Sequence, residues 1–390
     1  MRVAGPRQKN FSAGLENLGN TCYMNSTLQC MYSVPELRAA LAAYTASPSS
    51  QLTQMDGPHR LTAATRDLFA EIGRSGSSVT PRRFLTTLRQ VFPQFAAQGR
   101  NGAYMQQDAE ECWTGIMETL RQQLTHRPAS GSAEPTVAGV GAAATPVVKE
   151  LFGIDLRTVL TSAETGEERV ESRTEFTFKC NITSAVNHVM DGFRLALDMT
   201  REASSEAAGR TVVFSGRGAL TRLPAYLTVQ LVRFDYRQDT RQRCKIQKEV
   251  AFSISLDTYE FADDALKAQL DGPRRRKKEA DDKKLEQKNT GAAVAGATGS
   301  DVEMKEAAAE GEAAIPAATG FYDLRALVTH KGRDADSGHY VSYVKQADGS
   351  WMEFDDEKPI PRTEDDILRL RGGLGDHPCA YLMLYKSVMA

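Results

Sequence analysis

The stretch Glu16–Val34, ENLGNTCYMNSTLQCMYSV, decides how the rest of this 390-residue chain is read. Gly19, Asn20 and Thr21 form a turn signal, and either Asn20 or Thr21 can N-cap the helix that follows. Tyr23, Met24, Leu28, Met31 and Tyr32 are spaced for one face of that helix. Cys22 then falls in the first helical turn, where unsatisfied N–H groups and the positive end of the dipole favour a thiolate. A thiolate is a nucleophile suited to peptide-type bonds. By residue type alone, such a cysteine is more often a small buried apolar residue. The nucleophilic reading therefore needs a base elsewhere.

Six histidines are available: His59, His126, His188, His330, His339 and His377. His339 sits in SGHYVSYV, with Gly338 leaving open space beside it. The following YVSYVKQADGSWMEFDD reads as a β-hairpin with Asp355 and Asp356 on the return strand. If Ala347, Asp348 and Gly349 form a three-residue loop, Val341 faces Asp355, and His339 and Asp355 become diagonal neighbours on one face. A two-residue Asp348–Gly349 turn would put them on opposite faces. The three-residue loop is predicted, because it gives the imidazole an orienting carboxylate.

Composition bounds the rest. Apolar residues make up 41% and charged residues 25%, which suffices for an unstapled core of one large domain or two medium ones. A net charge of −2 gives no global field for nucleic acid or an anionic membrane. The first residues lack the apolar region of a secretory signal, and no apolar run is long enough to span a bilayer. The six cysteines are scattered without a C-x-x-C pair, which reads as reduced thiols of the cytoplasm or nucleus, with no metal and no cofactor. Two segments, 127–147 and 271–319, are small or charged with hardly a large apolar residue, and are predicted to be a flexible and a disordered insertion. The Arg274–Lys278 run in the second reads first as solvated loop, and second as a nuclear address. Helical patterns precede residue 125, notably a stripe of Ala109, Cys112, Trp113, Ile116, Met117, Leu120 and Leu124. Strand patterns dominate after it, giving an α+β layout.

GLENLGNTCYMNSTLQ, YMQQDAEECW, LPAYLTVQLVRF and DSGHYVSYV with WMEFDDEKP together resemble the Cys box, Gln-Gln-Asp-Ala helix, central strand and His box of the ubiquitin-specific proteases, in family order. The finer likeness is to the proteasome-associated subgroup. The resemblance implies a papain-like cysteine protease fold with a helical thumb at about 22–125, and a β-sheet palm and fingers at about 148–388. The catalytic domain would span 14–388, after a 1–13 extension that leaves no room for the subgroup's N-terminal ubiquitin-like domain. Only Cys180 lies where many members carry zinc-holding cysteines, so fingers without metal are implied.

By position, the resemblance makes Cys22 the nucleophile and His339 the base. Asp355 orients the base, with Asp356 as helper, and Asn17 is the oxyanion donor. Gln106 and Asp108 would grip the arginine of the ubiquitin tail, although an acid there is also a plausible N-cap. Gly338 and Tyr340 would wall the narrow channel for the two glycines. The 332–338 loop resembles one that can cover the cleft. The implied activity is deubiquitination at or near the proteasome. Ubiquitin, ubiquitinated proteins and the proteasome regulatory particle are the implied partners, with no nucleic acid and no membrane. A ubiquitin-binding proteasome regulator with weak or gated catalysis, and a general papain-like protease, are the alternatives. Finally, ILRLRGGLG at 367–375 matches the end of ubiquitin, but reads as a short helix after Thr363 closed by Gly372–Gly373.

Overall fold

Nearly every side chain of helix α1 (Cys22–Tyr32) is buried, polar ones included. In the computed structural model, which describes residues 13–45, 56–126, 145–237, 241–293, 317–334, 337–373 and 376–390, this helix lies between two lobes. The first lobe adds α2 (Pro35–Ala43), α3 (Gly57–Arg74), α4 (Arg82–Val91) and α5 (Ala109–Gln123). Their apolar faces share one cluster with Leu28, Met31, Phe69, Leu88 and Trp113. The stripe expected on α5 is buried as its spacing suggests. α1 departs from its expected single apolar face. It meets α5 on one side and the sheet on the other, so no face is left for water. Several of its polar groups find backbone acceptors: the Thr27 hydroxyl donates to Tyr23 O at 2.8 Å, and Gln29 Nε2 to Ala13 O at 2.8 Å.

Strands β1 (Thr125–His126) and β2 (Thr145–Pro146) pair antiparallel and lead into α6 (Val147–Phe152). Residues 127–144 of the expected flexible insertion lie outside the described residues, while 145–147 belong to β2 and α6.

The second lobe follows as β3 (Ile154–Thr161), β4 (Glu168–Glu175), β5 (Phe178–Asn181), α7 (Val189–Leu197), β6 (Asp198–Ser205), β7 (Arg210–Arg222) and β8 (Tyr226–Val232). A four-stranded antiparallel sheet, β4-β3-β7-β6, forms the fingers. β5 leaves it and pairs parallel with β8. Cys180 is therefore not in the fingers but in β5, buried against Gly192 of α7, where an added Cβ would meet its sulfur at 3.0 Å. Sequence order misplaced it because β5 interrupts the fingers strands.

The chain continues through the hairpin β9 (Phe234–Arg237) and β10 (Gln242–Lys245), then β11 (Ser255–Asp257), α8 (Asp264–Ala293), β12 (Ala318–Lys331), β13 (His339–Lys345), β14 (Trp351–Asp355), β15 (Lys358–Arg362), α9 (Glu364–Leu368) and β16 (Cys379–Met389). The palm sheet runs β15-β14-β13-β12-β16-β8-β5, with β11 on β12. Both faces are covered. Leu382 and Leu384 join the cluster under the helices, while Met383 and Tyr385 join a second cluster beyond the sheet. β8, expected to alternate at Leu227, Val229 and Leu231, is buried on both sides for that reason.

Two expectations need correction. Residues 271–293, read as part of a disordered insertion, continue α8. The composition lacks large apolar residues but is rich in helix formers. The helix is also anchored at its start, where Leu266 and Leu270 are buried and Arg274 binds both oxygens of Asp257 at 2.9 and 2.7 Å. The Arg274 guanidinium also covers the Tyr259 and Phe321 rings. Arg274 is thus not a solvated member of the basic run. Residues 294–316 lie outside the described residues. The second correction concerns α9, which starts at a capping box between Thr363 and Asp366 but ends at Leu368, before Gly372–Gly373. Both glycines have positive φ, 88° and 103°, in the segment that follows.

Candidate active site

Thr21 is the N-cap of α1, yet its side chain does not cap it. Its hydroxyl instead accepts from Leu18 N at 2.9 Å, holding the preceding turn. That turn uses two consecutive left-handed residues, Gly19 at φ 94° and Asn20 at φ 53°, which glycine and asparagine tolerate best. Asn20 Nδ2 is tied to Tyr104 O at 2.9 Å, joining positions 84 residues apart. Cys22 emerges at the first position of α1, 3% exposed.

β13 lies along α1. The Tyr340 backbone N–H points to Cys22 Sγ at 3.5 Å, joining positions 318 residues apart. His339 is the residue just before it on β13, and the Cys22 sulfur is the largest influence on its ring. Its Nε2 lies 2.6 Å from Asp355 Oδ1. The β13–β14 register pairs Ser342 with Phe354 and Lys345 with Trp351, and Gln346 N donates to Ser350 O. The loop is therefore Ala347–Asp348–Gly349, with Gly349 left-handed at φ 84°. This is the register in which His339 and Asp355 share a face. The sulfur, acting against the cost of burial and with help from Asp355, pushes the His339 ring up to about 9.

Asp356 does not bond His339. It stands in a left-handed turn at φ 51°, and its carboxylate is taken up by two carboxamides instead. Its Oδ2 accepts from Asn17 Nδ2 at 2.8 Å and its Oδ1 from Asn25 Nδ2 at 2.8 Å. Burial pushes this carboxyl up, against the pull of the two amides. Asn17 is further fixed through its Oδ1, which accepts from Gly19 N at 2.9 Å and Thr21 N at 3.3 Å. Asn25 was not singled out in the sequence. Its position three residues after Cys22, on the same helix, was the available signal.

The proposed tail-binding positions are split. Asp108 is the N-cap of α5: Oδ1 accepts from Glu110 N at 2.7 Å and from the Tyr381 hydroxyl at 2.7 Å. Burial pushes its carboxyl up. Gln106 is half-buried nearby, just before the helix. Tyr340, expected to wall the channel, is 2% exposed, with its ring packed on His330 and Tyr381. It is a wall from behind, and what faces the cysteine is its backbone. Gly338 has φ 138°, and a Cβ there would lie 2.3 Å from Lys331 O and 2.6 Å from His330 Nε2. In the 332–338 loop, residues 335 and 336 lie outside the described residues. His330 is fully buried, and burial with nearby Lys245 pushes its ring down to about 3, so it cannot serve as the base. His59 bonds the Tyr44 hydroxyl, and His188 caps α7.

His339, Asp355 and Asp356 present ligand-type atoms within 4.8 Å of one another. Both Asp356 oxygens are already held by amide donors, a pattern for retaining an anion rather than a metal. No helix among the described residues is long and apolar enough to cross a membrane. A nucleophile, an imidazole and an orienting acid assembled this way can carry out acyl transfer through sulfur.

The family model for ubiquitin carboxyl-terminal hydrolase matches residues 13–385. "Ubiquitin carboxyl-terminal hydrolase 6" of Arabidopsis thaliana is 41% identical over 97% of this chain and 78% of its own length. "Ubiquitin carboxyl-terminal hydrolase 6" of Schizosaccharomyces pombe is 30% identical, with the same two shares. "Ubiquitin carboxyl-terminal hydrolase 14" of Caenorhabditis elegans is 31% identical over 97% of this chain and 73% of its own. With that match running through both lobes and the cleft between them, the chain belongs to the ubiquitin carboxyl-terminal hydrolase family and is a cysteine-type deubiquitinase.

Proposed function

We propose that the chain hydrolyses the isopeptide bond between the C-terminal glycine of ubiquitin and a substrate lysine, with Cys22 as nucleophile and His339 as acid and base. The observation that supports it most directly is the His339 imidazole, bonded to Asp355 at 2.6 Å, next to the Tyr340 N–H that points to the Cys22 sulfur at 3.5 Å. Cys22 Sγ attacks the glycine carbonyl carbon, and the C=O electrons move onto oxygen. The second N–H of the Asn17 amide, the first being held by Asp356, stabilises that oxyanion. As the tetrahedral carbon collapses, His339 Nδ1 passes its proton to the departing lysine nitrogen and the C–N bond breaks. Water then gives a proton to Nδ1 and attacks the thioester. Expulsion of sulfur as thiolate releases the ubiquitin tail as a carboxylic acid, which loses its proton to solvent, and the Cys22–His339 pair regains its starting charges. Asp355 keeps the ring oriented and stabilises the imidazolium throughout.

In this scheme Gln106 and Asp108 receive the tail arginine, whose charge would offset the burial that raises Asp108. Gly338, pressed flat on its neighbours, and the backbone of Tyr340 border the path of the two glycines. Action at or near the proteasome is a further part of the proposal, supported by the subgroup likeness of Leu223–Phe234. Release of a fluorophore from a ubiquitin C-terminal amide, and of ubiquitin from a lysine-linked dimer, tests the scheme. Activity lost in Cys22→Ala is expected, and a Cys22→Ala protein that retains it would sink the proposal. Running both assays with and without proteasomes tests the location.

A further inference from the structure

Asn25 is 2% exposed and lies one helical turn beyond Cys22 on α1. Its Nδ2 faces three acceptors: Asp356 Oδ1 at 2.8 Å, Leu15 O at 3.2 Å and Glu16 O at 3.2 Å. Its Oδ1 is buried with no hydrogen-bond partner. An unsatisfied buried carbonyl costs about 1–3 kcal/mol, so the side chain is held in place for its donor end. With three acceptors around the nitrogen, flipping the amide would worsen the arrangement.

Those three acceptors belong to the two segments that fix Asn17. Leu15 and Glu16 immediately precede it, and Asp356 holds its Nδ2 at 2.8 Å. The same segments are stitched by Leu15 N donating to Asp356 O at 3.0 Å. They approach so closely that a Cβ on Gly14 would sit 2.4 Å from Glu357 O. We infer that Asn25 is a positioning residue for the oxyanion step: it locks the Asn17 carboxamide, through Asp356 and the Leu15–Glu16 backbone, to the helix that carries the nucleophile. This rests on the assignment of Asn17 as oxyanion donor made above. The physical logic is preorganisation. A neutral donor helps most when it already points at the developing charge, and Asn25 makes the donor and the sulfur parts of one rigid unit.

The test compares two reactions of the same thiol in the full chain. Hydrolysis of a fluorogenic ubiquitin amide passes through an oxyanion, whereas alkylation of Cys22 by iodoacetamide does not. For Asn25→Ala, kcat is expected to fall roughly 10- to 100-fold, with KM and the alkylation rate within about twofold of wild type. In an Asn17→Ala background the same change is expected to lower kcat by less than about twofold further, since the donor it positions is gone. Asn25→Asp keeps the shape and removes the donor, so it serves if the alanine variant does not fold, and kcat is expected to fall at least as far. The inference is overturned by any of three results: an unchanged kcat, an alkylation rate that falls in step with kcat, or effects that multiply in full in the double variant. If Asn17→Ala alone leaves kcat intact while Cys22→Ala abolishes it, the oxyanion assignment has failed instead.

Discussion

Adjacent carboxylates at Asp355 and Asp356 face different partners, an imidazole for the first and two carboxamides for the second. Asp355→Asn is expected to lower kcat/KM on a ubiquitin amide by about 10²- to 10⁴-fold. It should also move the His339 titration down, as followed by ring proton resonances. The sulfur is the larger influence, so Cys22→Ser should move it further. His339 is raised from 6.5 to about 9, so the stability it adds is complete below pH 6.5 and fades as pH rises through about 9. The same deprotonation removes the acid for the leaving lysine, so kcat/KM is expected to decline above about pH 9. A profile flat to pH 10 would show that this proton is not used. Of the site, the facing of His339 and Asp355 was legible in the sequence only once a three-residue loop was chosen over a two-residue turn, since loop length sets strand register. The task of Asp356 was not. It depends on one left-handed residue and on a contact between positions 339 apart, which no local pattern records.

Register and anchoring decide matters at the level of elements. Deleting Ala347 would shift β14 by one residue against β13 and turn Asp355 to the other face. Activity is then expected to drop by more than about 100-fold with the palm still folded, checked by assay and far-ultraviolet circular dichroism. α8 shows where composition misleads. Its apolar content suggests disorder, but helix propensity, two buried leucines and one clamped arginine carry it to Ala293. Arg274→Ala removes the bidentate bond to Asp257 and the cover over Tyr259 and Phe321. Amide exchange along 264–283 is expected to quicken well before that of β12, with a global cost of about 1–2 kcal/mol. The burial of α1 on all sides was equally hidden, since its serine, threonine, asparagine and glutamine read as a solvent face until the sheet is placed over them.

Across the whole molecule, Arg233 ties the distant parts of the palm together. It is fully buried, and its guanidinium donates to the carbonyls of Ala380, Ile246, Lys248 and Arg371. A lysine cannot span that fork of acceptors, so Arg233→Lys is expected to cost about 2–4 kcal/mol, read as a lower urea midpoint at unchanged slope. The α+β plan with helices first and strands later was visible from periodicity. The exchange of β5 between sheets was not, because parallel pairing with β8 leaves no turn signature. Assembly of the cleft from both ends of the chain has a consequence during synthesis. The ribosome releases the thiol some three hundred residues before the imidazole and the strand that delivers it. A nascent chain is therefore unarmed through most of its translation, and competence to cut arrives only when the last palm strands close over the first helix.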